Sequence, residues 1–234
     1  DLEVNETKLR NYLKEEIHPA FITLESGIVE GFSDKIMTIL ENYPKCVVDV
    51  LMNHIGTHDT MRAITALAGE SCEYRDRNWQ STHRLSSEQY AFGVKLLKIA
   101  ATLQFTLPGV PCLYYGDEAG MQGYKDPFNR FCYPWGKENE ELIEFYKKLG
   151  KMRKSCPCFI DGEYHTVSEM LGCLAFVRRS QGCEVMVIAN RNGHEIDYYL
   201  PHEWHCAVAV LGSEMLGDRA RISALDVIVL KKEY

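Results

Sequence analysis

Two short apolar runs, residues 46–52 (Cys-Val-Val-Asp-Val-Leu-Met), which is β-branched, and 110–115 (Val-Pro-Cys-Leu-Tyr-Tyr), flank a long segment of helical periodicity, and this pattern limits the fold more than any other. A run this short, interrupted by at most one acid, suits a strand buried on both faces. Strand, helix, strand in that order implies a parallel βαβ unit. Such folds keep their chemistry at the carboxyl ends of the strands. The polar stretch after the first run, Asn53-His54-Ile55-Gly56-Thr57-His58-Asp59-Thr60-Met61-Arg62, therefore stands where an active site is expected.

The flanking segments are consistent with that frame. Leu9, Tyr12, Leu13 and Ile17 predict an amphipathic surface helix over 6–17, and Ile36, Met37, Ile39 and Leu40 predict a second over 33–43, which Pro44 closes. A short helix is expected over 60–67, ended by Gly69. Residues 70–86 are mostly polar, with almost no aliphatic side chains, and read either as a loop over a site or as a solvated excursion. Ser86 and Gln89 form a capping-box pattern for a helix that runs to Leu107, where Pro108-Gly109 stops it. Acids crowd the start of 138–154 and bases its end, as the helix dipole favours. Beyond Pro157 the period becomes that of strands: 174–178, 184–189, 196–200, 207–211 and 226–231, with Asn192-Gly193 as a hairpin signal. The chain is thus expected to divide into an α/β part, 1–157, and a small antiparallel β-sandwich, 158–234.

Composition narrows the partners. A chain of 234 residues with 46% hydrophobic and 25% charged residues has the make-up of a globular protein, and a net charge of −7 without charged blocks argues against nucleic acid or an anionic membrane as partner. No apolar stretch reaches the roughly 18 residues of a spanning helix. The nine cysteines are odd in number and sit mostly in apolar stretches, which predicts a reducing, cytoplasmic setting. Cys156-Pro157-Cys158 has no second pair and His202 and His205 are spaced by three, so no metal is expected, and no cofactor.

Three stretches carry candidate chemistry. His58-Asp59 places an imidazole and a carboxylate at a strand end, although a helix N-cap would account for Asp59 alone. In Gly109-Val110-Pro111-Cys112-Leu113-Tyr114-Tyr115-Gly116-Asp117-Glu118-Ala119-Gly120-Met121, Asp117 and Glu118 are site acids or turn caps, and the capping reading is preferred. Asp126-Pro127-Phe128-Asn129-Arg130 is either a binding loop or a turn whose acid and base pair at the surface. Tyr115, Phe128, Trp79 and Trp135 are candidates to stack on a ligand ring.

Taken together, N-x4-H-D-T-x-R, the segment 109–121 and D-P-x-x-R resemble the α-amylase superfamily, glycoside hydrolase family 13, most closely its cyclomaltodextrinase and neopullulanase branch. The resemblance runs from about Ile28 to the C-terminus. It implies the C-terminal part of a (β/α)8 TIM barrel, its last βα units, followed by the sandwich, and a retaining hydrolase of α-1,4-linked maltodextrins or cyclodextrins. On this likeness Asp59 stabilises the transition state, His58 holds ring hydroxyls, and Asp126 with Arg130 contacts the glucose one subsite toward the non-reducing end. The family's nucleophile and acid/base segments have no match in residues 1–45, so the chain is expected to need an N-terminal remainder of the enzyme and to be inactive alone. A non-catalytic carbohydrate-binding or assembly module on the same scaffold is the alternative. Residues 70–86 lengthen the spacing between the motifs beyond the branch's usual pattern.

Overall fold

The computed structural model describes residues 31–212 and 215–232, apart from the side chain of Met170. The helix expected over 6–17 lies outside the described residues. Helix α1 (Phe32–Asn42) buries Phe32, Ile36 and Ile39, and the extended backbone at Tyr43 ends it before Pro44. The run over 46–52 is not the doubly buried strand expected. Residues Lys45–Val48 form one helical turn, α2, and only Met52–Asn53 pair as a strand, β1. Val50 and Met52 are 68% and 56% exposed. The physical reason is a shortage of partners: β1 pairs with β2 (Val110–Pro111) in parallel over two residue pairs. Upstream amides instead bond locally, Val48 to the Pro44 carbonyl at 3.1 Å and Asp49 to that of Lys45 at 2.8 Å. The run over 110–115 is likewise shorter as a strand than expected, and Val110, Leu113 and Tyr115 are exposed.

Between these strands lie α3 (Ala63–Ala68), α4 (Arg77–Thr82) and α5 (Ser87–Thr106). Helix α4 falls within the polar stretch 70–86: the Asp76 carboxylate accepts from the Trp79 amide at 2.7 Å and starts a helix where only a loop was expected. Helix α5 carries the full capping box, with Ser86 Oγ accepting from the Gln89 amide and Gln89 Oε1 from the Ser86 amide. Its far end is held by two arginines. Arg153 donates to the carbonyls of Phe105 and Gly109, each at 2.6 Å, and the buried Arg178 to that of Thr106 at 2.6 Å and of Gly162 at 2.9 Å. These contacts satisfy orphan carbonyls and set positive charge at the negative end of the helix dipole.

Helix α6 (Glu140–Ser155) starts at Asn139, whose side chain caps the Leu142 amide, and α7 (Cys158–Asp161) leads into the sheets. Five antiparallel strands, β3 (Glu163–Met170), β4 (Cys173–Ser180), β5 (Cys183–Asn190), β7 (Val208–Leu211) and β10 (Asp226–Lys231), are ordered β3-β4-β5-β10-β7. A second sheet joins β6 (Ile196–Tyr199), β9 (Arg219–Ile222) and β8 (Met215–Leu216). Strands β5 and β6 belong to different sheets, so Asn192-Gly193 is a crossover and not the expected hairpin. Asn192 instead braces the β3–β4 turn, donating from its amide nitrogen to the Leu171 carbonyl at 2.8 Å.

The larger sheet is buried on both faces. Leu174, Phe176, Val185, Val187, Val227 and Val229 pack with α1, α3, α5 and α6 in one core. Ala175, Val177, Met186, Ile188, Ile228 and Leu230 pack with Trp204, Ala220 and Ile222 in the other. Helix α1 is tied to this sheet directly, because the amides of Phe32 and Ser33 both donate to the Glu169 carboxylate of β3.

Candidate functional site

The carboxyl ends of β1 and β2 are locked together before any candidate residue is reached. Asn53 is buried; its carbonyl accepts from the Cys112 amide at 2.8 Å and its side chain donates to the Pro108 carbonyl at 2.8 Å. Gln104, buried on α5, spans both strand ends by donating to the carbonyls of Asn53 and Cys112, each at 2.9 Å. The chain then turns at 57–60. The Thr57 amide donates to Thr60 Oγ1 at 2.9 Å and the Asp59 amide to Thr57 Oγ1 at 3.1 Å, a hydroxyl-closed turn that presents the two residues between.

His58 and Asp59 face outward from that turn. The Asp59 side chain is 47% exposed, and His58 Nε2 lies 3.4 Å from its Oδ1. The loop at 126–130 closes over the same turn. Asn129, fully buried, donates to the carbonyls of His58 at 2.8 Å and Thr60 at 2.6 Å. Arg130 Nε is shared between the His58 carbonyl at 3.1 Å and Asp126 Oδ1 at 2.8 Å, and its Nη2 stands 4.0 Å from Asp59 Oδ1. All four residues singled out in the sequence thus converge on one open rim. The Asp126–Arg130 surface pair also exists; it coincides with the cluster and does not replace it. Asn129, which joins the two loops, had no distinguishing signal beyond being a polar residue inside D-P-x-x-R.

Below the rim lies a pair for which the sequence suggested another role. Asp117, read as a turn cap, is buried and faces the buried Arg62 at 3.6 Å. Glu118 does cap, accepting from the Gly116 amide at 2.8 Å. The Arg62 guanidinium sits 4.3 Å and 4.4 Å from the ring centroids of Tyr114 and Tyr115 and donates to the Tyr115 carbonyl. Burial pushes the Asp117 carboxyl up to about 7, against the opposing pull of Arg62. Gly56 packs against this carboxylate so closely that a Cβ there would overlap it. His54, next to Asn53, has its pKa lowered by burial.

Of the four aromatic candidates, Trp135 is 81% exposed beside Tyr133, and Tyr115 is exposed while its hydroxyl donates to the Phe131 carbonyl at 2.8 Å. Trp79 is engaged in a stack with His83, ring centroids 3.9 Å apart, and Phe128 lies under Arg77. Among the described residues no group of three side chains is arranged to hold a metal ion. The rim offers a half-exposed carboxylate flanked by an imidazole and a guanidinium, an acceptor between two donors, suited to bonding neighbouring hydroxyls of a neutral polyol.

The family model for the alpha amylase catalytic domain matches residues 25–153. An amylopullulanase of Thermoanaerobacter thermohydrosulfuricus is 40% identical over 145 residues, 62% of this chain and 9% of that protein. A cyclomaltodextrinase of Geobacillus thermopakistaniensis is 30% identical over 185 residues, 77% of this chain and 28% of that protein. A debranching enzyme of Nostoc punctiforme shares the fold, with a TM-score of 0.73 at 18% identity over 94% of this chain and 45% of that one. The chain spans less than half the length of each of the three.

Proposed function

The chain belongs to the α-amylase family, glycoside hydrolase family 13, and on that premise we propose that it forms the substrate-gripping rim of a retaining hydrolase of α-1,4-linked maltodextrins or cyclodextrins. A glycosidic bond breaks through an oxocarbenium-like transition state, and groups that bind the ring hydroxyls more strongly there than in the ground state lower the barrier. Asp59 does this, His58 holds the same ring, and Asp126 with Arg130 binds the next glucose toward the non-reducing end. The nucleophile and the proton donor, a carboxyl pair about 5 Å apart in retaining enzymes, come from segments outside these 234 residues. The site works in the cytoplasm, where the nine cysteines stay reduced.

The observation that carries this reading is the convergence of Asp59, His58, Asp126 and Arg130 through the shared His58 carbonyl, which Asn129 and Arg130 both engage. Asp59→Asn in the native polypeptide that contains this chain tests it. The expected result is a fall in kcat of about 10²–10³ with KM changed by less than about threefold. Weaker maltotriose binding with no loss of rate would point to a binding module instead. Cleavage of maltodextrin at an enzyme-like rate by residues 1–234 alone would overturn the assignment of the carboxyl pair to other segments.

A further inference from the structure

Building on that reading, we propose that the arm formed by residues 70–86 positions the loop carrying Asp126 and Arg130, with Arg77 and Arg84 as its two positioning residues. Some of its side chains anchor the arm, and two of its arginines reach the loop. Trp79 stacks on His83 at 3.9 Å and both rings lean on the buried Tyr124, 4.9 Å and 5.9 Å away. Glu70 holds Arg75 and His83, each at 3.5 Å, which closes the segment on itself. Toward the loop, the Arg77 guanidinium lies 5.6 Å from the ring centroid of Phe128, midway between Asp126 and Arg130, and Arg84 lies 5.1 Å from that of Phe131, the residue after Arg130. The Leu85 amide donates to Gln122 Oε1 at 2.8 Å and fixes the strand-end side of the same loop.

Cation–ring contacts at exposed positions are individually weak, but two of them engage the middle and the far end of the short turn that must keep Asp126 and Arg130 facing one sugar. The arm therefore affects binding at that subsite and not at the ring held by Asp59. This also accounts for the segment's polarity: it needs its two cations facing the loop and an aromatic pair seated on Tyr124, and it contributes almost nothing to the main core.

Hydrogen exchange of amides 125–132 in the 234-residue chain tests the positioning without requiring catalysis. Arg77→Ala with Arg84→Ala is expected to speed their exchange about fivefold to tenfold, leave the amides of α5 unchanged, and be largely reversed by the double lysine variant, which keeps a cation over each ring. Unchanged exchange at 125–132, or equal acceleration in α5, overturns the proposal. In the native polypeptide the same double alanine variant is expected to lower kcat/KM about fivefold for an aryl α-maltoside, which reaches the Asp126–Arg130 subsite, and to leave an aryl α-glucoside unaffected. Equal losses on both substrates overturn it. A wild type inactive on both refutes the hydrolase reading, while the exchange result still decides the role of the arm.

Discussion

Asp59 and Asp117 each lie six residues past the end of their strand, β1 (Met52–Asn53) and β2 (Val110–Pro111), yet water reaches one and is sealed from the other. Asp59 stays half exposed among donors, and Asp117 is shut in against Arg62 and Gly56. A carboxyl whose folded-state pKa stands near 7 against an ordinary 3.8 binds more protons folded than unfolded between those values. Stability from this group is therefore greatest at the acidic end of that window and declines as pH rises toward 7. Asp117→Asn is expected to flatten the pH profile of urea-unfolding stability between about 4 and 7 relative to wild type. At Gly56 even one methyl must displace the carboxylate, so Gly56→Ala is expected to cost about 2 kcal/mol or more in the same assay. His58, Asp59, Asp126 and Arg130 stand out in the sequence through the resemblance carried by N-x4-H-D-T-x-R and D-P-x-x-R, since by residue type alone an N-cap and a surface ion pair explain them equally well. Asp117 could not, since Gly-Asp-Glu suits a turn cap equally well and only three-dimensional closure brings Arg62 to it.

Elements differ in how locally they are determined. The start of α5 is written in four consecutive residues, and Ser86→Ala should lower stability by about 1 kcal/mol, measured by thermal or urea unfolding. Its other end depends on Arg153 and Arg178, which come from α6 and β4, and no local pattern announces such caps. Burial lowers the Arg178 pKa to about 10, which still leaves it protonated at neutral pH. Arg178→Met strands two carbonyls and is expected to cost about 2–4 kcal/mol by urea unfolding. Strands β4, β5 and β10 were legible because each is covered on both faces and so is apolar almost without break. The polar strand β3 and the short β8 and β9 lack that signature. The runs at 46–52 and 110–115 carry the signature but lack enough neighbours, so composition alone overstates their length as strands.

At the scale of the whole molecule, the last βα units of a barrel stand against an antiparallel β-sandwich, and the larger sheet serves two cores at once. Glu169 makes that union electrostatic as well as apolar, because its charge lies at the N-terminus of α1. Joined in this way, the helices hold the strand ends, the strand ends hold the turn at 57–60, and Asn129 holds the second loop against it. The account rests on this rim gripping an α-glucan. Titrating the isotope-labelled 234-residue chain with maltotriose, and following backbone amide shifts by NMR, tests that most directly. The account predicts saturable shifts centred on residues 57–60 and 126–131, much reduced in Arg130→Ala. Shifts confined to the sandwich strands, or none at millimolar sugar, would contradict it.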